Sequence, residues 1–147
     1  MKWDEMLDRI RLLVEGRRPD AVRDVVVFLK ESFPQYSWVG VYVVCGKMLE
    51  LGPWVGPAAT EHTRIPIGTG VCGAAARSGK TEIVGDVRRD PRYLSCFVST
   101  RSEIVVPILR DGLVIGEIDI DSDKLDAFSL EDRRFLEKVA VLLAPLV

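Results

Sequence analysis

A hairpin signal in the second half of the chain is the sequence feature that most constrains the fold. Asp111-Gly112 separates an apolar run that ends at Leu109 from a second run over residues 113–121. Asp-Gly between two such runs is typical of a two-residue β-turn. Because side chains alternate between the two faces of a strand, the returning strand is predicted to carry its acidic residues on one face. These residues are Glu117, Asp119 and Asp121.

The acidic face has two interpretations. Neighbouring carboxylates repel one another and raise each other's pKa, which is costly unless a cation, a metal or a proton-transfer step uses them. Cys96 lies shortly before the hairpin, so a thiol and a carboxylate cluster would meet in a small polar site. The alternative is an ordinary solvent-exposed strand face, with the cysteine as a small buried apolar residue.

The turn length predicts the register of the hairpin. A strict two-residue turn places Ile104 opposite Asp119, so Glu103 would point to the face away from the acidic residues. A bulge or a longer loop would bring Glu103 to the acidic face instead. Pro107 marks the position where the sequence indicates an irregularity.

Composition and charge exclude several classes of protein. The chain has 147 residues, which predicts one domain over residues 1–147 with a core that needs no disulfide bonds. A formal net charge of -2 without a basic stripe predicts no nucleic-acid partner. Acidic residues near the amino terminus and the lack of a long apolar run predict neither a signal peptide nor a contact with a membrane.

The cysteines indicate a reducing compartment. There are three of them, Cys45, Cys72 and Cys96, without the spacing of a disulfide framework, which predicts a cytoplasmic protein. A single histidine, His62, and the lack of a Cys-x-x-Cys pair predict that the chain holds no zinc. Cysteine chemistry in such a chain would be nucleophilic or redox chemistry.

Hydrophobic periodicity predicts the remaining elements. Their order predicts an α+β fold, in which a mainly antiparallel sheet carries the amino- and carboxyl-terminal helices on one face. Ser129 and Asp132 are predicted to form a capping box at the start of the last helix, with Asp in place of the preferred Glu. Helices are predicted at residues 3–14, 19–33, 74–77 and from 130 onward, and strands at 36–44, 48–51, 81–84 and in the hairpin.

Aromatic residues in the first half of the chain could line a pocket. Trp38 and Tyr42 share one face of a predicted strand with Gly40 between them, which leaves a notch that serves either a pocket wall or core packing. Residues 52–57 are rich in glycine and proline and are predicted to form a loop. Trp54 in this loop is either a lid over a ligand or part of the core.

One glycine-rich segment resembles a nucleotide-binding loop in spacing only. Residues 68–73 match the glycine spacing of a dinucleotide-binding turn. Such a turn opens a βαβ unit after an apolar strand, whereas this segment lies among antiparallel hairpins. The sequence therefore predicts no dinucleotide cofactor.

Several motifs occur together, and in the same order, as in a known family. The motifs are Ser37-Trp-Val-Gly-Val-Tyr42, Arg64-Ile-Pro-Ile-Gly-Thr-Gly-Val-Cys-Gly73, Ser102-Glu-Ile-Val-Val-Pro107 and Ile115-Gly-Glu-Ile-Asp-Ile-Asp-Ser122. Through them, residues 20–147 resemble the free methionine-(R)-sulfoxide reductases, which are single GAF domains. The resemblance implies an antiparallel sheet with helices behind it and a ligand pocket in front.

The resemblance also implies roles for individual residues. The nucleophilic cysteine of the family matches Cys96, and an alternative resolving cysteine matches Cys72. The usual resolving cysteine falls on His62, so the step that regenerates the thiol departs from the family pattern here. Substrate contacts come from the family positions that match Trp38, Tyr42, Glu103, Asp119 and Asp121.

The resemblance implies reduction of free methionine (R)-sulfoxide through a cysteine sulfenic acid and a disulfide. A thioredoxin-like reductant is implied as partner, with no cofactor and no metal. Carboxylates suit the ammonium group of this substrate, aromatic rings suit its tail, and a carboxyl with a raised pKa could donate a proton. Arg92 or Arg101 would favour the nucleophilic thiolate. The apolar terminal helices are compatible with a homodimer.

Two other functions stay open on the sequence alone. A non-catalytic GAF module would bind a small ligand and pass a signal through its terminal helices, and the absence of a cysteine at His62 favours it. Hydrolysis by a Cys/His pair that includes His62 is the other. That alternative is weaker, because no oxyanion site or orienting group is evident.

Overall fold

The fold is an antiparallel sheet with helices on both faces. The computed structural model describes residues 2–95 and 97–147. The helices are α1 (Lys2–Val14), α2 (Ala21–Ser32), α3 (Gly70–Ser78) and α4 (Leu130–Leu143). The strands are β1 (Trp38–Cys45), β2 (Met48–Val55), β3 (Arg64–Pro66), β4 (Glu82–Val84), β5 (Ser102–Arg110) and β6 (Leu113–Ser122).

The six strands form one sheet in the order β3-β2-β1-β6-β5-β4. Every neighbouring pair in this order is antiparallel. The central strand pair joins β1 from the first half of the chain to β6 of the predicted hairpin. The predicted α+β fold is confirmed.

One face of the sheet, called here the rear face, carries the terminal helices. Alternate residues of the central strands, among them Val41, Ile104 and Ile120, point to this face and are buried. Helices α1, α2 and α4 cover them with apolar stripes at helical spacing, to which Ile10 and Leu136 belong. The prediction that these helices pack together on one face is confirmed.

The opposite face, called here the front face, is covered in part by α3. Val71, Ala75 and Val105 contribute to a second, smaller apolar cluster between this helix and the sheet. A Cβ atom at Gly73 would lie 2.7 Å from the carbonyl oxygen of Pro66, so only glycine permits such a close approach of the helix. This approach holds α3 against the front face.

The hairpin has the predicted turn, and of the two registers left open it has the one with a bulge. Asp111 and Gly112 both have positive φ angles, of 53° and 78°, which fits a type I′ turn. The pairing then shifts between Ile108 and Leu109, because Ile115 is an extra residue on β6. As a result Ile104 lies opposite Ile120 and not opposite Asp119, as a strict ladder would have it. The irregularity follows Pro107 by one residue instead of falling on it.

The structure departs most from the predicted bounds at two elements, and the short strand β3 had no predicted range. Strand β2 continues through Val55, so residues 52–55 are not the predicted loop. They pair with β1, with Trp54 opposite Gly40, and the glycine and proline fall where the β1–β2 register shifts. Helix α3 begins at Gly70 rather than at residue 74, because glycines at the start of a helix are equally typical of a loop.

The start of α4 is fixed by the predicted capping box. The Ser129 hydroxyl accepts from the Asp132 amide at 3.2 Å, and Asp132 accepts from the Ser129 amide at 2.8 Å. Asp132 also accepts a hydrogen bond from the Tyr36 hydroxyl at 2.5 Å, which ties the helix to the approach of β1. Among the described residues, no helix is long and apolar enough to cross a membrane.

Candidate functional site

The candidate site is built on the front face around a row of carboxylates. Three acidic residues of β6 point to this face, and each lies opposite a residue of β1. The pairs are Glu117 with Tyr42, Asp119 with Gly40, and Asp121 with Trp38. The three carboxyl side chains are buried, with 0%, 3% and 2% exposure. The interpretation as a solvent-exposed strand face is therefore wrong.

The hairpin bulge adds a fourth carboxylate to this row. With the shifted register Glu103 lies opposite Asp121, on the same face as the acidic residues of β6. Cys72 approaches from α3, and its Sγ lies 4.0 Å from Oε2 of Glu103. One ligand atom each of Cys72, Glu103 and Asp119 lies within 4.8 Å of the other two. A buried thiol and buried carboxylates thus meet on this face, but the thiol is that of Cys72, whereas the thiol that the sequence predicted there, Cys96, lies outside the described residues.

Several of these oxygens have no hydrogen-bond donor. Both carboxyl oxygens of Glu117, Oδ1 of Asp119 and Oδ1 of Asp121 are buried without a partner among residues 2–95 and 97–147. Buried carboxyl oxygens are normally satisfied in proteins. A set of them on one face indicates a site that takes up a cationic or proton-donating group.

The pKa values follow from this burial. Burial raises the pKa of Glu117 well above its usual range, the charge of Asp119 raises it further, and the nearby Cys72 thiol opposes the rise. Burial likewise raises the pKa of Asp121, with a contribution from Asp119. The pKa of Asp119 is raised by burial and lowered in part by contacts with Glu103 and Cys72. The cluster therefore holds protons that ordinary carboxyls would release.

The thiol of Cys72 is influenced by the same surroundings. Burial is the main cause that raises its pKa well above the usual value, and the charge of Asp119 is the next. Further contributions come from Glu117, Glu103 and Asp121. Without a bound cation Cys72 is thus a protonated thiol.

A cleft of about 560 Å³ opens at one end of the carboxylate row. Trp38 forms part of its wall, and the Trp38 ring lies over Gly40, where a Cβ atom would be 2.4 Å from the ring. Trp54 stacks on the Trp38 ring at 6.1 Å between centroids and 12° between planes. The notch expected beside Gly40 is therefore filled by Trp38 itself, and Trp54 packs on that ring. The cleft lining includes Ser37, Trp38, Pro57, Glu61, Phe97, Thr100 and Asp121.

The loop around His62 connects the sheet to the segment of the predicted nucleophile. The Tyr42 hydroxyl donates to the carbonyl oxygen of His62 at 2.6 Å. The Nε2 atom of His62 lies 3.2 Å from the carbonyl oxygen of Ser95. Cys96, the predicted nucleophile, lies outside the described residues, but its neighbour in the chain is thus joined to His62.

The predicted thiolate-stabilising arginines differ in their surroundings. Arg92 forms ion pairs with Asp90 at 2.7 Å and with Glu82 at 3.0 Å. Arg101 lies at the start of β5, and its Nε atom is buried without a partner in the part of the chain that the structure describes. Arg101 is therefore the better candidate of the two.

The sequence indicated most of the residues that lie at the candidate site but not all of them. Trp38, Glu103, Asp119 and Asp121 share the front face with Cys72, and their role as substrate contacts stays a prediction. No sequence pattern indicated that Glu61 and Phe97 line the cleft, because both lie in irregular segments. Glu117 did carry a signal, the acidic alternation, but the resemblance gave it no role.

Comparison with known proteins relates this geometry to a family. Residues 12–145 match the family model of the GAF domain. The free methionine-R-sulfoxide reductase of Escherichia coli (strain K12) is 34% identical over 115 residues, which are 78% of this chain and 68% of that protein.

Solved structures give the same relation. The type II free methionine-R-sulfoxide reductase of Thermoplasma acidophilum is 42% identical, with a TM-score of 0.84 over 96% of this chain and 94% of that one. The enzyme of Neisseria meningitidis, solved with its substrate, is 38% identical, with a TM-score of 0.90 over 98% and 87% of the two chains. The fold and the matched model make this chain a GAF domain protein. Within that class it belongs to the family of free methionine-R-sulfoxide reductases.

Proposed function

We propose that this chain is an oxidoreductase that reduces free L-methionine (R)-sulfoxide to methionine, with Cys96 as the nucleophile. The observation that carries the proposal is the row of buried carboxylates with unpartnered oxygens beside Trp38. Such a row suits the ammonium group of a free amino acid and not a methionine within a peptide, whose nitrogen carries no charge. Family membership supports the same substrate.

The substrate pose follows from the charges and rings around the cleft. Asp121 lines the cleft and, with Glu103 and Asp119 behind it, offers acceptors for the ammonium group. The rings of Trp38 and Phe97, with centroids 6.1 Å apart, offer an apolar wall for the methyl sulfoxide tail. Tyr42 supports the wall indirectly by holding the His62 loop.

The proposed reaction transfers the sulfoxide oxygen to sulfur of the protein. The Cys96 thiolate attacks the sulfoxide sulfur, a carboxyl of the cluster protonates the departing oxygen, and the products are methionine and a Cys96 sulfenic acid. The raised pKa of Asp121 supports a carboxyl as the proton source, because burial keeps it protonated. Arg101 favours the thiolate form of the nucleophile.

Recycling is proposed to use Cys72. Its thiol would condense with the sulfenic acid to give a disulfide and water, and a thioredoxin-like dithiol would then reduce the disulfide. The high pKa of Cys72 slows this step until the negative field around the thiol is offset. Cys45 is exposed at the end of β1 and is a free cysteine, so it is not assigned a role.

The cellular setting is proposed from the same chemistry. A reducing cytoplasm suits the free cysteines Cys45 and Cys72 and a dithiol reductant. A homodimer would bury apolar residues that the terminal helices expose, such as Leu12 at 69% and Val141 at 72%.

The test is release of methionine from its R- and S-sulfoxides as free amino acids and within a peptide, with dithiothreitol and with thioredoxin. We expect turnover of the free R-sulfoxide only. Cys96→Ser should abolish turnover and keep substrate binding, whereas the matched Cys45→Ser should behave as the parent. Binding of methionine sulfoxide without turnover in the parent chain would instead support the non-catalytic GAF module.

A further inference from the structure

A cysteine and two carboxylates from three different elements meet behind the cleft. Cys72 comes from α3, Glu103 from β5 and Asp119 from β6, and their ligand atoms lie within 4.8 Å of one another. Their side chains are buried, with 6%, 5% and 3% exposure. No local spacing joins positions so far apart in the chain, which is why the sequence predicted no zinc.

The ligand atoms, all within 4.8 Å of one another, are somewhat farther apart than those that share a bound divalent cation. Zinc binds sulfur at about 2.3 Å and carboxylate oxygen at about 2.0 Å, so tetrahedral geometry separates the two ligand atoms by roughly 3.5 Å. Sγ of Cys72 and Oε2 of Glu103 are 4.0 Å apart. Cation binding therefore requires the three side chains to move closer together.

A second observation points to a ligand at the same place. Oδ1 of Asp119 is buried and has no partner within the described ranges 2–95 and 97–147, and the same holds for Oδ1 of Asp121 and both oxygens of Glu117. Acidic residues are often close together without binding anything, but they then face water. Here Oδ1 of Asp119, which belongs to one of the three proposed ligands, is buried without a donor among the described residues, and a cation would satisfy it.

We propose that Cys72, Glu103 and Asp119 bind a thiophilic divalent cation of the zinc class. The thiolate ligand selects Zn²⁺, Cd²⁺ or Co²⁺ over Mg²⁺ and Ca²⁺. The cation binds the carboxylates that we assign to the substrate ammonium group. It also binds the Cys72 sulfur that we assign to recycling. Cation and substrate therefore exclude each other. Only this competition rests on the proposed function, since cation binding needs no substrate.

The test is a titration of the reduced, full-length protein with Co²⁺ and with Zn²⁺, without substrate. We expect one equivalent of Co²⁺ to produce a thiolate-to-cobalt charge-transfer band, and Zn²⁺ to abolish it. Cys72→Ser should remove the band and weaken Zn²⁺ binding at least about tenfold, and Asp119→Asn should weaken it too. Cys45→Ser is the matched control and should bind as the parent. Thermal unfolding verifies that each variant is folded.

Two results would overturn the proposal: a band that persists in Cys72→Ser, or a titration that does not saturate at one equivalent. In Cys96→Ser, which is expected to bind methionine sulfoxide without reducing it, methionine sulfoxide should raise the apparent dissociation constant for Zn²⁺ in proportion to its concentration. Saturable zinc binding that methionine sulfoxide leaves unchanged would support the cation site and contradict the proposed substrate site, so the two failures are distinguishable.

Discussion

Replacing Glu117 by glutamine should flatten the pH dependence of the free energy of unfolding. Glu117 is fully buried between Tyr42 on β1 and Pro107 on β5. Neither of its carboxyl oxygens has a partner among the described residues. Burial raises its pKa well above the usual range, and the charge of Asp119 adds to the rise. The carboxyl is therefore protonated in the folded chain at pH values where the unfolded chain ionises it.

The magnitude follows from proton linkage. Between the unfolded pKa, about 4.3, and the raised folded pKa, the native state binds one proton more than the unfolded state. The stabilisation is complete below the unfolded pKa and is lost as the pH rises toward the folded pKa. One proton gives a slope of up to about 1.4 kcal/mol per pH unit, and glutamine should remove that contribution. Asp119, Asp121 and Cys72 titrate in both proteins, so the difference in slope is the quantity to measure.

The assay is urea unfolding of reduced, substrate-free protein across a series of pH values. We expect the parent to lose stability more steeply than Glu117→Gln above the unfolded pKa of glutamate. Glu15→Gln, at an exposed position just after α1, is the matched control and should keep the parental slope. Equal slopes in Glu117→Gln and the parent would refute the argument that the buried carboxyl is protonated in the folded state.

Three further predictions concern the cap, the cleft wall and recycling. Ser129→Ala removes the hydroxyl that caps α4 and should cost about 1 kcal/mol in urea unfolding, while an unchanged midpoint would contradict the capping role. Gly40→Ala places a Cβ atom 2.4 Å from the Trp38 ring, so it should displace the ring and raise KM for the sulfoxide by about tenfold. A KM equal to that of the parent would show that the Trp38 ring does not contact the substrate. His62→Cys puts a thiol beside Ser95. In the Cys72→Ser background it should restore thioredoxin-supported turnover, and peptide maps should show a disulfide between positions 62 and 96. Continued inactivity would show that a thiol at position 62 does not reach Cys96.

The sequence was sufficient for elements whose pattern has a single structural meaning. The helical spacing in α1 and the Ser129 cap of α4 were found where predicted. Residues 52–55 were missed because glycine and proline usually end a strand, whereas here they lie where β1 and β2 shift register. Such a shift depends on a partner strand far away in the chain, which a local pattern does not contain.

A local sequence pattern also could not predict that the acidic face is buried. Alternating acidic residues look the same whether water or a helix covers the face. Gly73, which lets α3 approach Pro66, and Ile115, which shifts Glu103 onto the acidic face, decide the question. Both act through packing between elements, so the site could be suggested from the sequence but its geometry could not.

In the proposed mechanism, binding of the substrate itself causes the carboxyls to release the proton that the reaction needs. Burial keeps protons on Asp119 and Asp121 before a substrate arrives. An ammonium group beside them favours the ionised carboxylates, so it lowers their pKa and frees a proton inside the cleft. The sulfoxide oxygen of the same molecule is the acceptor that needs it. Glu117 lies farther along the row, away from the residues that line the cleft, and keeps its proton. A ligand with the ammonium group but without the sulfoxide should therefore release protons into solution when it binds, whereas the sulfoxide should consume them in the reaction.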